Sequence, residues 1–590
     1  AYLDASAVQF GDGGKIVAWS DIHNPFSQTF VHGSLKANAG LSGGDGGQIE
    51  TSGHYLSVNG IQVEAGSVHG ERGMWLLDPG DITISDGAED AGDWYPEYGD
   101  GYVNSSDGST VSTETLNQTL SSEFGMGVHI QADNDIIVNG NISGSGYSAS
   151  LTLDAGRDIL INNPISLTGQ AYLGIYADNE ININAAIQWG GTLQMQAGTN
   201  VNINADLTGL TVGGSKPGLN FYYGLGAVAS GNTSDYNILK TSSGFSAKVN
   251  LPAGSSYQTQ LGSDGSPSRK SYTVVDNLSS LTDANVNYAL GSDIDATARA
   301  SSQYVLSNSN STIDGLGHTI EGLTLTWANA NGTGLVGSSG SGFAIKNLGL
   351  TNIDYSHSIG TDARSAMGAF LGSCGTECQI GNSYATGTMS GRDYIGGLIG
   401  QLWYTDTATI NNSSFTGTIT GKNYTGGLIG YIPQGTLSSR RVTIKNSKAS
   451  ANIYAIGSGT TDSPDGNTAG GLIGYLYWYN SLGNTISIDN SDFSGIVKAG
   501  FNAGGIIGNV NYNSQSNTTI NPITINNSRV TEANISGKYN LGGMIGNLSY
   551  TGVTISNSSV ALGSVEGTVG GTFTGVGGLI GMTPLGSPSN

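Results

Sequence analysis

The chain has 590 residues, with 94 glycines, 12 prolines, 11% charged residues and a formal net charge of -23. That balance argues against nucleic acid and anionic membrane surfaces as partners, because phosphate neutralisation needs clustered Lys and Arg, and the 21 present are dispersed. Abundant Val, Ile, Thr and Tyr argue against a solvated disordered polymer, and no run of 18 apolar residues is present to span a membrane.

Residues 1–125 read as a first β-helical segment. GDGGKIVAWSD from Gly11, GGDGGQIETSG from Gly43 and RGMWLLDPGDITI from Arg72 each join a Gly/Asp turn to an alternating strand, which is how a coil corner and its following face are written. Between Asp78 and Asp100 acidic residues interleave with Trp94, Tyr95 and Tyr98. No calcium-loop spacing is present there, and the segment is expected to be an exposed loop bulging from one coil. The start at Ala1 to Phe10 lacks the basic and apolar regions of a signal peptide.

From 126 to 212 a shorter repeat takes over: ADNDIIVN from Ala132, AGRDILIN from Ala155, ADNEININ from Ala177 and AGTNVNIN from Ala197, spaced by 23, 22 and 20 residues. Strict alternation in Ile181-Asn182-Ile183-Asn184 puts aliphatics on one face and Asn on the other. These are expected to be single coils of a three-sided solenoid. Residues 213–271 lose the period and carry Lys216-Pro217-Gly218 and a small polar run near Gly262, so an insertion or junction is expected there.

Residues 272–590 are organised by GGLIG, at Gly396, Gly426, Gly470 and Gly577, with GGIIG at Gly504, GGMIG at Gly542 and worn copies at Thr333 and Gly368. The spacings run from 28 to 44 residues, a period of stacked supersecondary units. Ile-x-Asn keeps step with it, placing Asn347, Asn382, Asn412, Asn446, Asn490, Asn527 and Asn557. Asn tolerates a left-handed backbone, and its amide can bond the same amide one coil away, so each Asn is expected at a corner. The whole pattern predicts an all-β, right-handed parallel β-helix, a β-solenoid whose coils stack about 4.8 Å apart.

Cys374 and Cys378, four residues apart, are a disulfide candidate in an oxidising compartment, with unlinked thiols as the alternative. No cofactor or metal site is expected: neither HExxH, a P-loop nor a nucleophile elbow occurs among these residues. Asp314-Gly315-Leu316-Gly317-His318 is the fragment most like a carbohydrate-active site, but Asp and Gly at a coil corner explain it without catalysis. After each GGLIG the next strand alternates, with Leu402, Ile432, Leu476, Val510 and Leu548 directed inward. The outward positions then hold Trp403, Tyr431, Tyr475, Tyr477 and Tyr479, and of these Trp403, Tyr475, Tyr477 and Tyr479 are the candidate ligand contacts. The alternative is cross-coil stacking that protects the sheet face.

The three phrases of the first segment, the Trp75-Leu76-Leu77-Asp78-Pro79 block above all, resemble the filamentous-haemagglutinin type of two-partner-secretion exoprotein. YTVVDNLSSL from Tyr272, IDGLGHTIEGLTL from Ile313 and the GGLIG units are similar to the GLUG-repeat regions of bacterial surface exoproteins, including some immunoglobulin-A proteases. Those resemblances imply a secreted or surface-anchored, extracellular adhesin, and the missing catalytic motifs lead to the expectation that it is not an enzyme. An outer-membrane transporter would be the partner of the full-length protein, and a host surface protein, glycan or biofilm polysaccharide the target. The family's amino-terminal secretion domain is not recognisable here. The alternatives are a β-helical carbohydrate-active enzyme and the stalk of a contact-delivered toxin.

Overall fold

The computed structural model describes residues 2–583 apart from 59, 87–107, 122–125, 147–148, 227–234, 243, 263–268, 300–303, 308, 328–331, 358–364, 404–406, 434–439, 458–466, 480–483, 514–521, 550–551 and 568–574. The acidic and aromatic loop expected around Trp94 falls almost wholly outside the described residues. The chain divides into two units, Ala1–Val274 and Val275–Asn590. Each is a parallel β-helix, in which the strands of the regular coils pair with their equivalents one coil along.

In the first unit each regular coil contributes three short strands. One coil is Ser150–Ala155, Ile159–Ile161 and Ile165–Leu167; the next is Tyr172–Ala177, Ile181–Ile183 and Ile187–Trp189. They pair in parallel and in unbroken register, as in Ile159↔Ile181 and Ile165↔Ile187. The alternation visible in the sequence decides the faces, because a strand sends successive side chains to opposite sides. Ile159, Ile161, Ile181 and Ile183 are buried, while Asn162, Asn184 and Asn204 form an external amide ladder with 2.9 Å bonds from Asn184 to Asn162 and from Asn204 to Asn184. Trp75, in the WLLDP block, is a core residue whose indole N–H donates to Thr51 Oγ1 at 3.0 Å.

Among the described residues one α-helix interrupts the strands, Thr113–Leu120, capped by Ser112, whose hydroxyl accepts from Thr115 N. It covers the open edge of Ile142–Gly144. There Asn117 supplies the bonds a neighbouring strand would have made: its Oδ1 accepts from Ser143 N at 2.6 Å and its Nδ2 donates to Asn141 O. The segment expected as an insertion, 213–271, carries further rungs, since Gly218–Tyr223, Tyr236–Ile238 and Ser256–Leu261 continue the parallel sheets. An antiparallel strand, Lys270–Val275, then lies along Ser256–Leu261.

Each regular coil of the second unit has four strands. One runs through Thr407–Asn411, Ser414–Gly421, Tyr424–Gly426 and Ile429–Ile432. The corner between the first two is made by Asn412, and at the equivalent corners Asn347, Asn382, Asn446, Asn490, Asn527 and Asn557 also have φ between 46 and 54°. The expected amide ladder forms at 2.8 Å from Asn382 to Asn347, Asn412 to Asn382 and Asn490 to Asn446, and slips at Asn446, which donates to Asn411. Beside it runs a serine ladder. The hydroxyl of Ser413 accepts Ser383 N and donates to Asn411 O, and Ser447, Ser491 and Ser528 repeat the pattern. A disulfide joins Cys374 to Cys378 across a short corner, both residues buried.

Candidate functional site

The outward rings of the second unit are placed by GGLIG. None of its glycines has positive φ in the regular coils; the need is for close approach. A Cβ at Gly426 would run into the Ile429 carbonyl, at Gly427 into the Gly471 carbonyl of the next coil, and at Gly430 into the backbone of Ile395 at 2.6 Å. Without side chains there, Tyr424–Gly426 and Ile429–Ile432 lie almost backbone to backbone. The outer side chains of both strands therefore share one narrow re-entrant.

Four tyrosines fill it in interleaved order. Tyr394 and Tyr424 open the short strands and are paired in register; Tyr431 and Tyr475 stand in the following strands and are likewise paired. Ring centroids are 4.5 Å apart for Tyr394 and Tyr431, 5.4 Å for Tyr431 and Tyr424, and 4.4 Å for Tyr424 and Tyr475, with planes within 22° of parallel. Tyr477 continues the series at 6.4 Å from Tyr475. Past Tyr475 the groove turns polar: Asn540 donates to Asn502 at 2.7 Å and Asn547 to Asn509 at 2.8 Å.

Tyr475 was expected to be exposed, and the structure corrects this: only 9% of it is accessible. Tyr424 covers one ring face and Asn511 Nδ2 donates to its hydroxyl at 3.0 Å. Burial pushes its phenol up to about 12, with Asn511 opposing. Tyr477 and Trp403 are half-buried, and the side chain of Tyr479 lies outside the described residues. Trp403 N donates to Cys374 O at 2.9 Å, and its carbonyl accepts from Arg440 Nη2. The inward set is placed as expected, with Leu402, Ile432, Leu476, Val510 and Leu548 all buried.

Sequence reasoning missed Tyr394, Tyr424 and Arg440. The first two had a signal, because both stand two residues before the Gly pair, in YIGGLIG and YTGGLIG. Arg440 had none: its guanidinium is buried and donates to the Pro433 and Trp403 carbonyls, tying two successive coils.

Asp314 and His318 do not open onto a surface. Asp314 is buried, accepts from Leu316 N and Asn347 Nδ2 at 3.2 Å each, and lies 3.7 Å from Lys346 Nζ. His318 is also buried, with Nδ1 at 3.3 Å from Asp293 Oδ1. These contacts hold a corner where Leu316 has φ 52°. Among the described residues no group of three His, Cys, Asp or Glu side chains is arranged to hold a metal ion.

No family model matches the chain. Over 131 residues, 22% of its length, it is 31% identical to Halomucin of Haloquadratum walsbyi, and the match covers 1% of that protein. A putative immunoglobulin A1 protease from Bacteroides ovatus aligns over 53% of this chain and 86% of its own at 21% identity, with a TM-score of 0.31. A second structure, of an IgA1 protease, aligns over 57% of this chain and 23% of its own at 14% identity, with a TM-score of 0.29.

Proposed function

We propose that this chain is a non-enzymatic binding segment of a secreted or surface-anchored adhesin, directed at a host surface protein, a glycan or a biofilm polysaccharide. The observation that carries the reading is the outward repetition of the same small polar groups coil after coil. The column Thr409, Thr443, Ser487, Thr524 and Thr554 runs in unbroken register down one sheet. A periodic display of this kind suits contact at many equivalent points, whereas catalysis concentrates unlike groups at one. The disulfide between Cys374 and Cys378 suits an oxidising, extracellular setting. Delivery through an outer-membrane transporter belongs to the same proposal.

The test is adherence of beads coated with the purified chain to cultured epithelial cells and to biofilm matrix. Coated beads should be retained well above albumin-coated ones, and equal retention on both surfaces overturns the reading. Turnover of any neutral or acidic polysaccharide, abolished by Asp314→Ala without a change in melting, would overturn it in favour of an enzyme.

A further inference from the structure

In the first unit, the strand Tyr172–Ala177 sends Leu173 and Ile175 into the core and presents Tyr172, Gly174 and Tyr176 outward. The two tyrosine side chains arch toward each other over Gly174, and their hydroxyls hydrogen-bond. A Cβ on Gly174 would come within 2.6 Å of Tyr176 Cε2 and 2.9 Å of Tyr172 Cε1, so the missing side chain is what lets the rings settle onto the sheet. Tyr222 stands in the Tyr176 column two rungs on, through Tyr176↔Gln196 and Gln196↔Tyr222. Two strand spacings separate those rings by roughly 10 Å. Arg269 lies over Tyr222 at 5.8 Å and is itself held by Gln260 Oε1 at 2.9 Å.

This arrangement differs from the stack of the second unit in the respect that matters for binding. There the rings cover one another. Here, among the described residues, no other ring stacks on Tyr172 or Tyr176, and the pair is fixed in place by its own hydrogen bond. The spaces between the rings hold the half-buried amides of Gln194, Gln196 and Asn220. Flat apolar faces at fixed separation, with amide donors and acceptors between them, match the two surfaces of a pyranose chain: its C–H faces and its equatorial hydroxyls. Rigid rings also lose little entropy on contact. Charge selects among glycans: the chain carries -23, Asp154 stands one rung from Tyr176, and Arg269, the cation beside Tyr222, is already engaged by that ring and by Gln260, so a carboxylate or sulfate is disfavoured.

We propose that the outward face formed by Tyr172, Tyr176, Gln196 and Tyr222 is a binding platform for an uncharged, extended polysaccharide laid across the strands. It stands independently of the adhesin reading: beads that fail to adhere to cells leave it intact, and failure to bind polysaccharide leaves adherence through a protein partner open.

The experiment is equilibrium depletion of the full chain by swollen cellulose, insoluble chitin and insoluble mannan, with calcium alginate beads as the anionic comparison. At least one neutral polymer should deplete the parent chain, and alginate should not. Tyr176→Ala and Tyr222→Ala should each weaken binding about tenfold, whereas the double variant Tyr172→Phe, Tyr176→Phe keeps both ring faces and should stay within about twofold. If an alanine variant fails to fold, Gln196→Arg carries the same test, because it alters no core contact and fills the gap between the rings; it should abolish retention. Retention on alginate alone, no retention on any neutral polymer, or alanine and Gln196→Arg variants that bind like the parent would each overturn the proposal.

Discussion

At Tyr475 the side chain leaves its strand on the face opposite Leu476, and it is still covered. Alternation along one strand tells in from out relative to that sheet; it cannot tell that a second strand, brought close by glycines, sends its own rings into the same space. That is why the in/out assignment of Leu476 was legible in the sequence and the burial of Tyr475 was not. The consequence is measurable. Leu476→Ala should cost about 2–5 kcal/mol through loss of buried methyl groups and the cavity left behind. Tyr475→Ala should cost about 1–3 kcal/mol, because it removes a ring from the middle of the stack. Tyr477→Ala, at the half-buried end of the stack, should cost less than about 1 kcal/mol. Urea unfolding of the three variants checks the order, and a silent Tyr475→Ala would show that the stack does not stabilise the coil. The phenol supplies a second readout. Since burial raises it from 10.0 to about 12, the fold favours the protonated form; this contribution is fully present below pH 10 and is lost as pH rises toward 12. A tyrosinate absorbance titration should therefore lose one late-titrating group in Tyr475→Phe.

A coil of the second unit rests on two kinds of element, the Asn corner and the paired short strands, and the sequence announced both by repetition. It did so because each has a steric requirement that few residues meet. At Asn412 the φ of 47° is costly for a residue with a Cβ and no local polar group. Asn412→Ala should lose about 1–2 kcal/mol for the backbone alone and something more for the amide bond to Asn382. Asn412→Gly should recover the backbone part, so the difference between the two variants isolates the left-handed conformation. Equal losses would mean that the amide ladder carries the whole effect. Gly427→Ala should be worse than either, as its Cβ meets both the Gly471 carbonyl and, at 2.6 Å, the Ala449 Cβ. Where steric demands are loose, the sequence is quiet. The rungs at Gly218–Tyr223 and Ser256–Leu261 were hidden because the residues joining them vary in length, and a period search needs constant spacing. Tyr172 and Tyr176 carried no repeat signal at all, since their partner Gly174 occurs in one coil only.

For the molecule as a whole, a coil within either unit touches mainly its neighbours. Stability in such a stack is close to a sum of coil terms and neighbour interfaces. Unfolding should then depart from a single all-or-none step, and calorimetry should record a van't Hoff enthalpy well below the calorimetric one, with more than one transition. The assignment follows from local damage. Gly427→Ala strikes the second unit, and Trp75→Ala, which empties a core site in the first, should cost about 3–5 kcal/mol there. Each variant should move its own transition and leave the other within about a degree. A single transition displaced equally by both substitutions would mean that the units melt as one cooperative body. In that case the polysaccharide platform of the first unit and the tyrosine stack of the second would also have to share one stability, and a ligand bound to Tyr176 and Tyr222 would raise the melting of both. With separate units it should raise only the transition that Trp75→Ala lowers.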